Sequence, residues 1–351
     1  MGMQNNNKHL NLFNYLIFHW HGRGKRYRWA SVLLSILRSF RTLLFFDEHK
    51  KLCQLDVYQN YVSRIAKDDL FHHLNHRYYL IKNISVTQRV QCACSHYQLE
   101  NDYFNTAYKQ AVYLTGNLTL WSKTVNDVNY SIQLSAGFRT VPEGDLCIAL
   151  FVNQISVHKI SFTWIKGEIF KLESQIVPFI GRNQAGWGEN LELRQQFNLA
   201  FPHNAPVYFC ISALQGLAKS IGATQILGVS SENQVGFHPT ETQHFVNTYD
   251  VYWESIGGKK LATLAYVIPV PFYVKPLAEV SVKHRKRKAD RRKQWDEIDN
   301  AANMALSAHL LPELAKPLTT GGCALEKSDH NRLQDAPLQT VEVITTETRL
   351  Q

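Results

Sequence analysis

The sequence predicts an α+β (mixed α/β) fold, with an N-terminal helical segment, a mixed β-sheet with helices, and a basic C-terminal helix. Apolar residues before residue 47 recur at three- and four-residue steps, which indicates helix. Between residues 113 and 180, segments rich in β-branched and aromatic residues are separated by Gly, Asn and Pro, which is typical of strands. A helical pattern then leads into a short apolar run between residues 206 and 229, as in sheets that carry helices.

The N-terminal region, residues 1–110, is predicted to be mainly helical. Its strongest element is an amphipathic helix over residues 29–46, in which Arg38 and Arg41 lie off the apolar stripe formed by Trp29, Val32, Leu33, Ile36, Leu37, Phe40, Leu43 and Leu44. The preceding segment, "HGRGKRYR", is basic. The helix therefore either packs its apolar face on the core or lies on anionic lipid. It is too short and too charged to span a bilayer, and no transmembrane segment is predicted.

Residues 111–282 are predicted to form the sheet domain. Four or more strands follow one another in antiparallel succession up to residue 180, with a turn at "PEG" before "DLCIAL". A helix begins at Pro206 and stops at Gly222, and it leads into the strand "TQILGV". A short helix in "YDVYWESIGG" precedes a final long strand, "LATLAYVIPVPFYV", which its prolines place at an edge or a bend.

The positive charge lies at two segments of the chain. Residues 1–51 hold nine Lys or Arg and two acidic residues, and residues 283–293 hold eight and one, so each segment carries +7 and the remainder −5 of the net +9. We predict a basic helix over 283–311 and a disordered tail over 312–351, which lacks aromatic residues. The basic helix is a solvated face, a site for anionic lipid or an acidic acyl carrier, or a nucleic-acid site. Nucleic acid is the least favoured, since no nucleic-acid-binding motif accompanies the charge.

The cysteines and histidines do not predict a metal site. The six cysteines are scattered without a C-x-x-C pair, so we predict reduced thiols and a cytoplasmic location. The clusters "CACSH" and "HHLNH" lack the spacing of zinc sites. No signal peptide is predicted at the start of the chain.

"ALQGLAKSIGATQILGVSSEN" followed by "YDVYWESIGG" resembles the second half of an N-acetyltransferase-like (GNAT) domain. The resemblance implies that an acyl-CoA or acyl carrier donor is held by residues of "GRNQAGWGEN" and "SSEN": Arg182, Gln184, Gly186, Gly188, Ser230 and Asn233. The tyrosine that often serves as general acid in this superfamily aligns with Trp253, which cannot donate a proton in that role. Asp250, Tyr249 or Tyr252 would then handle the leaving group or position the substrate.

The general base is the least defined part of this hypothesis. The candidates are His96 and Glu143. A turn carboxylate explains Glu143 equally well, and a buried, hydrogen-bonded side chain explains His96. Core packing of the aromatic rings likewise explains Tyr252 and Trp253.

A second resemblance covers residues 28–296. "SHYQLENDYF", "PEGDLCIALF", "FIGRNQAG", "ILGVSSENQV", "YDVYWESIGG" and "KHRKRKADRR" are similar to the VirK/YbjX family of Gram-negative bacteria. Membership implies a cytoplasmic protein linked to virulence, envelope maintenance and resistance to cationic antimicrobial peptides. In "AFPHNAPVY" the chain keeps Pro206 but lacks the arginine that the family tends to have there, so any anion contact of that arginine is lost or made elsewhere.

These patterns leave two functional hypotheses open. The first is an acyltransferase-like enzyme at the inner membrane face, or a relic of one that still binds an acyl donor. The second is a non-catalytic binding protein for anionic lipid, RNA or a protein partner, which the loss of the catalytic tyrosine favours. A groove beside Arg182 that His96 or Glu143 faces would favour the enzyme, whereas a flat basic face would favour the binding protein.

Overall fold

An eight-stranded mixed sheet organises the described part of the chain. The computed structural model describes residues 33–34, 37–38, 40–62, 72–137, 142–173, 176–186 and 191–313. The strands are β1 (Leu118–Val125), β2 (Val128–Ala136), β3 (Leu146–Val152), β4 (Ile155–Lys166), β5 (Ile176–Ala185), β6 (Gln225–Val229), β7 (Lys259–Leu261) and β8 (Ala265–Pro269). They lie in the order β1-β2-β3-β4-β5-β6-β8-β7.

Hairpins build the first half of this sheet. β1 to β5 pair antiparallel in succession. β1 and β2 are joined by Asn126 and Asp127, with φ of 48° and 61°, and β3 and β4 by Asn153 and Gln154, with φ of 46° and 68°. Positive φ at both central residues matches the twist of two-residue hairpins, and Asn and Asp tolerate it better than most residues. β5 and β6 are parallel, and β8 pairs antiparallel with both β6 and β7.

Helices flank the sheet. Those before it are α1 (Arg41–Leu44), α2 (Phe46–Gln54), α3 (Asp56–Asn60), α4 (His72–Asn75), α5 (Val86–Tyr103) and α6 (Thr106–Lys109). Those after β5 are α7 (Leu191–Ala200), α8 (Pro206–Ser220), α9 (Thr242–Thr248), α10 (Asp250–Ser255) and α11 (Val282–Ser307). Short 3₁₀ helices cover Gly167–Phe170, Ser231–Asn233, Pro239–Glu241 and Leu277–Glu279, and a π-helix covers Gln110–Thr115.

Three helices carry most of the packing against the sheet. α8 crosses strands β2 to β6, α11 packs on α8 and on β1, and α5 packs on β4. α5 begins with a capping box, in which the Ser85 hydroxyl accepts the N–H of Gln88 while the Gln88 side chain accepts the N–H of Ser85. α8 begins with Pro206 in its first turn and ends before Gly222, as the sequence predicts.

The α+β fold class with a basic C-terminal helix is confirmed, and two local predictions are wrong. The predicted final strand over 261–274 is shorter: the chain turns at Ala262, which has a φ of 49°, and the strand that follows, β8, covers only Ala265–Pro269. The first strand begins at Leu118 and not at residue 113, because the preceding residues close a π-helix. Part of the predicted helix over 29–46, and nearly all of the predicted tail, lie outside the described residues. The proposed domain boundaries stay a prediction.

Candidate functional site

The point where β5 and β6 diverge is the candidate site. These parallel strands are in register only through Phe179 opposite Leu227 and Ile180 opposite Gly228. β5 continues to Ala185, whereas β6 ends at Val229. Ligands of sheets with parallel strands bind beyond the carboxyl ends of the strands, at points where the topology changes. We call this region the fork: residues 181–186 of β5 and its extension, with residues 229–234 after β6.

Arg182 and Glu143 form an ion pair at the fork. The Arg182 Nη1 atom lies 2.8 Å from Glu143 Oε2, and the two side chains are 25% and 15% exposed. The other carboxylate oxygen, Oε1, accepts a hydrogen bond of 2.7 Å from Gln234 Nε2. Both oxygens of Glu143 are therefore engaged. Arg182 keeps further N–H donors for an anion, because a guanidinium has five of them.

The turn that carries Glu143 is fixed from two sides. A Cβ atom on Gly181 would lie 2.1 Å from the Glu143 carbonyl oxygen, so the close approach of the two backbones requires glycine. The next residue after Gly144 is Asp145, which is buried and accepts hydrogen bonds from Tyr79, Tyr97 and Thr163. The position of Glu143 is therefore set by packing before any ligand binds.

A polar face of the sheet leads up to Arg182. Directly opposed residues on neighbouring strands point to the same face. The register gives one row of Gln133, Ala149, Lys159 and Gln184, and a second row of Ser135, Cys147, Ser161 and Arg182. Small side chains form the middle of this face, while the half-buried Lys159 and Arg182 supply two cations. The sequence signal was the alternation of polar residues in "YSIQLSA" and "HKISFT".

Residues of α9, and Tyr249 between α9 and α10, contact the fork at Asn183. The Tyr249 hydroxyl accepts the backbone N–H of Asn183 at 3.2 Å, and the Asn183 amide donates to the Thr248 carbonyl at 3.1 Å. The Asn183 Oδ1 atom lies 2.8 Å from Nε2 of His158, and burial lowers the pKa of that histidine to about 4. Tyr249 thus completes the hydrogen bonding of β5 where the strand has lost its neighbour.

The loop after β6 is tied down by its own polar residues. Asp250 accepts hydrogen bonds from the backbone N–H and the hydroxyl of Ser231, at 2.8 and 2.6 Å. Ser230 and Asn233 both donate to the carbonyl of Thr263, at 2.9 and 2.7 Å. Ser230 and Asn233 in the loop, and Asp250 at the start of α10, therefore hold the loop in place.

Trp253 has a structural position. Its indole N–H donates to the Val229 carbonyl at 2.9 Å, at the point where β6 ends. The ring lies against Gly228, where a Cβ atom would come within 2.7 Å of it. The indole ring thus occupies the space that a side chain at position 228 would need, so glycine is required there.

The remaining predicted residues lie apart from this network or outside the described residues. His96 is completely buried on α5. The Tyr252 hydroxyl is buried without a hydrogen-bond partner among the described residues, and burial raises its pKa well above the usual value. Gly186 follows β5 at the fork, whereas Gly188 is not described. The structure therefore brings Glu143, Arg182, Gln184 and Gly186 together, and Tyr249 joins them through Asn183.

Several buried ionisable groups were missed by the sequence analysis. Glu100 is fully buried and accepts hydrogen bonds of 3.0 Å from Tyr108, Tyr113 and Trp164. Burial raises the pKa of Glu100 to about 8. Arg89 is buried on the same helix. The sequence shows that Arg89 and Glu100 occur in this helix, but it carries no signal that they are buried.

Two adjoining grooves lie along α5, away from the fork. Their volumes are about 470 and 630 Å³. They share the residues Ser95, Gln98, Lys166 and Glu168. Both contain Lys and Glu side chains, and neither is lined by a predicted site residue.

In the part of the chain that the structure describes, no helix combines the length and the apolar character needed to cross a membrane. No group of three or more His, Cys, Asp or Glu side chains there is placed to hold a metal ion. The five described cysteines are free thiols.

Comparison with known proteins connects the chain to one family. Residues 21–304 match the model of the family described as "Protein of unknown function (DUF535)". The chain is 26% identical over 240 residues to the "Uncharacterized protein YbjX" of Escherichia coli (strain K12), a match that covers 64% of this chain and 67% of the relative. No solved structure matches the chain.

Proposed function

Because the chain belongs to the DUF535, or VirK/YbjX, family, which is described as being of unknown function, we propose a function from the fork itself. The proposal is that the protein binds a phosphate-bearing acyl donor, an acyl-CoA or an acylated carrier protein, beside Arg182. The observation that carries it is the divergence of β5 and β6 next to a cation on a polar face. The acetyltransferase-like order of helix, strand and short helix after residue 206 supports the same donor class.

The chemistry of the fork fits such a donor. Both donor types contain a phosphopantetheine arm, which has a negatively charged phosphate and two amides. Arg182 has unused donors for the phosphate, and Lys159 adds a second cation on the same face. Gln184 and Gly186 beside Arg182 are exposed and leave the end of β5 open to a donor, whereas Cys147, Ala149 and Ser161 are buried.

The geometry supports binding more strongly than acyl transfer. Among the catalytic candidates, Glu143 is the one beside Arg182, and both of its oxygens are already engaged. Tyr249 and Asp250 make structural hydrogen bonds, and His96 is fully buried. A transferase would require Glu143 to release Arg182 or Gln234 before its carboxylate could act as a base. We therefore place donor binding first and transfer second.

The wider role would be that of a cytoplasmic protein of envelope maintenance, linked to virulence and antimicrobial-peptide resistance. The basic start of α11 supports contact with an anionic membrane surface or an acidic carrier. In the described part of the chain, none of its eight Lys and Arg residues at 283–293 has a carboxylate oxygen within 4.0 Å. The same observation supports the alternative, a non-catalytic protein that binds lipid, RNA or a protein partner.

Thermal stabilisation of the purified chain tests donor binding. The ligands are acetyl-CoA, a long-chain acyl-CoA and acyl carrier protein, each against the wild type, Arg182→Gln and Glu143→Gln. Arg194→Gln is the matched control, because Arg194 is an exposed arginine on α7. We expect the Tm shift to disappear in Arg182→Gln and to grow in Glu143→Gln, since the freed guanidinium binds phosphate more tightly.

The opposite responses of the two variants distinguish this proposal from simple destabilisation. Loss of an ion pair alone would change the ligand-induced shift in the same direction in both variants. If no donor shifts the Tm of the wild type, the donor-binding proposal is wrong. The lipid and RNA alternatives then become the leading ones.

A further inference from the structure

In the segment 33–46, of which residues 33–34, 37–38 and 40–46 are described, most of the described apolar side chains are exposed to solvent. Its large apolar residues are between 40% and 79% exposed: Leu33, Leu34, Leu37, Phe40, Leu43, Leu44 and Phe46. Seven of the fifteen large exposed hydrophobic side chains in the described chain therefore lie in this one segment. Contiguous exposure on this scale marks an interaction surface, and here it excludes core packing for these side chains.

The charged side of the same segment points toward the protein. The Arg41 Nη1 atom donates to the Leu74 carbonyl at 3.2 Å, and the Arg89 Nη1 atom donates to the His76 carbonyl at 3.3 Å. These two carbonyls are two residues apart at the end of α4, so the two guanidiniums converge there. Arg38 lies close by, one helical turn before Arg41. Burial, and then the charges of Arg41 and Arg38, lower the pKa of Arg89.

Within the described residues, no acidic side chain pairs with the arginine cluster of Arg38, Arg41 and Arg89. Among the described residues, none of the three has a carboxylate oxygen within 4.0 Å. Arg89 is only 6% exposed, and its Nε atom has no hydrogen-bond partner. Burying an unpaired cation, and bringing like charges together, both cost free energy. A bound anion would remove both costs.

The acidic residues that follow the exposed segment do not supply that anion. Asp47 and Glu48 follow the exposed segment, in the first turn of α2. Glu48 lines the groove that also contains Lys51 and Cys94, and both acidic side chains are exposed. The cluster therefore remains a built site for a ligand with at least one negative charge.

We propose that Arg38, Arg41 and Arg89 bind the phosphate of an anionic phospholipid headgroup while the exposed leucines of residues 33–46 insert into the adjoining hydrocarbon. Arg38 and Arg41 lie on the same short segment as the apolar surface, and Arg89 of α5 lies beside them, so one lipid could present its phosphate to the arginines and its acyl chains to the leucines. Guanidinium groups bind phosphate oxygens in pairs, which explains three arginines better than three lysines would. This proposal is independent of donor binding at the fork, because it involves other residues.

Vesicle sedimentation of the full chain at about 0.15 M salt tests the proposal. One set of vesicles contains phosphatidylglycerol in phosphatidylcholine and the other contains phosphatidylcholine alone. We expect binding to the first set and a loss of affinity of about tenfold or more for Arg89→Gln and for the pair Arg38→Gln/Arg41→Gln. Arg89→Lys should keep part of the affinity, since it keeps the positive charge but loses the paired N–H donors of the guanidinium.

The apolar half of the site is tested with Leu37→Ser/Leu44→Ser. We expect a similar loss of vesicle binding in this variant, whose changes lie on exposed positions and should leave the fold intact. The matched controls are Leu199→Ser, a 78% exposed leucine on α7, and Arg194→Gln on the same helix. Both controls should bind vesicles as the wild type does, although they remove the same chemical groups.

Three outcomes would overturn the proposal. Equal binding of the arginine variants and Arg194→Gln would show that charge on α11 alone attracts the vesicles. Wild-type binding by Leu37→Ser/Leu44→Ser would show that no insertion occurs. Stabilisation by inorganic phosphate without any vesicle binding would assign the arginine cluster to a soluble phosphate ligand. If Arg89→Gln fails to fold, the half-exposed pair Arg38→Gln/Arg41→Gln decides the question.

Discussion

The carboxyl end of β5 and the helix α5 bury their charges in different ways. At β5, Arg182 lies against Glu143, and the nearby His158 is buried in its neutral form because burial lowers its pKa to about 4. On α5, Arg89 pairs with no carboxylate among the described residues, and Glu100 accepts hydrogen bonds from the neutral side chains of Tyr108, Tyr113 and Trp164. The difference is that the fold pairs or neutralises Arg182 and His158, whereas it gives Arg89 no acidic partner among the described residues.

The two charges on α5 cannot neutralise each other. Arg89 and Glu100 are eleven residues apart in a continuous helix, which places them on one face but roughly 16 Å from each other. Each charge is therefore neutralised separately. Glu100 is neutralised by protonation, and Arg89, on our proposal, by a lipid phosphate. A buried charge without a partner is informative, because it either titrates or marks a ligand.

The largest expected effect is at Glu100. Burial raises its pKa from 4.5 to about 8, so the folded state favours the protonated carboxyl. The stability that this gives is fully present below pH 4.5 and is lost as the pH rises to about 8, with a free energy on the order of 5 kcal/mol. Glu100→Gln should remove this loss, and urea unfolding between pH 5 and pH 9 measures it.

Glu173→Gln is the control for this prediction, because Glu173 is exposed. It should keep the wild-type dependence of unfolding free energy on pH. A parallel pH dependence for Glu100→Gln and the wild type would mean that Glu100 is ionised in the folded protein. The claim that the buried carboxyl on α5 is neutralised by protonation would then be wrong.

The next effect concerns His158, on the β5 side of the comparison. Burial lowers its pKa from 6.5 to about 4, so the neutral ring is the folded form. The stability tied to it is present above pH 6.5 and is lost as the pH falls to about 4, on the order of 3 kcal/mol. His158→Gln keeps a donor for Asn183 and should remove this loss relative to the wild type. His244→Gln, at an exposed position on α9, should not.

The sequence predicted the fold better than it predicted the site. The β-branched and aromatic segments between residues 113 and 180, and the helix from Pro206 to Gly222, are local patterns, so the sequence alone indicates them. The hairpin at Ala262 was missed, because an uninterrupted apolar run hides a turn that depends on one residue with positive φ. Arg182 and Glu143 were both candidates, but their pairing was not predicted, because they are 39 residues apart and meet only through the sheet.

The buried charges were invisible for a related reason. Arg89 and Glu100 occur in a helix of mixed polarity, where charged residues are usually exposed. Their burial follows from packing of α5 on the sheet and from the position of α4. Tertiary contacts, and not helical periodicity, decide which charges of such a helix are buried.

A smaller effect on the free energy of unfolding is expected when the ion pair of Arg182 and Glu143 is broken. Arg182→Met leaves the Glu143 carboxylate, which is 15% exposed, with Gln234 as its remaining partner, and should destabilise the fold by about 2 kcal/mol. Arg182→Met/Glu143→Gln should recover most of this loss, since no unpaired charge remains. Urea unfolding of the two single variants and the double variant gives the coupling energy. Additive losses would mean that the pair contributes nothing.

The smallest effect should have the opposite sign. Arg89→Met removes a buried cation that repels Arg38 and Arg41, so in phosphate-free buffer it should stabilise the isolated protein by about 1 kcal/mol. Arg194→Met, which changes an exposed arginine, should leave the unfolding free energy unchanged within about 0.5 kcal/mol. Urea unfolding of both variants, repeated with anionic lipid in dispersed form, measures the difference. Anionic lipid should stabilise the wild type and not Arg89→Met, because only the open charge gains a partner. A loss of stability in Arg89→Met similar to that in Arg182→Met would mean that Arg89 is already neutralised within the fold, and the contrast between the two regions would disappear.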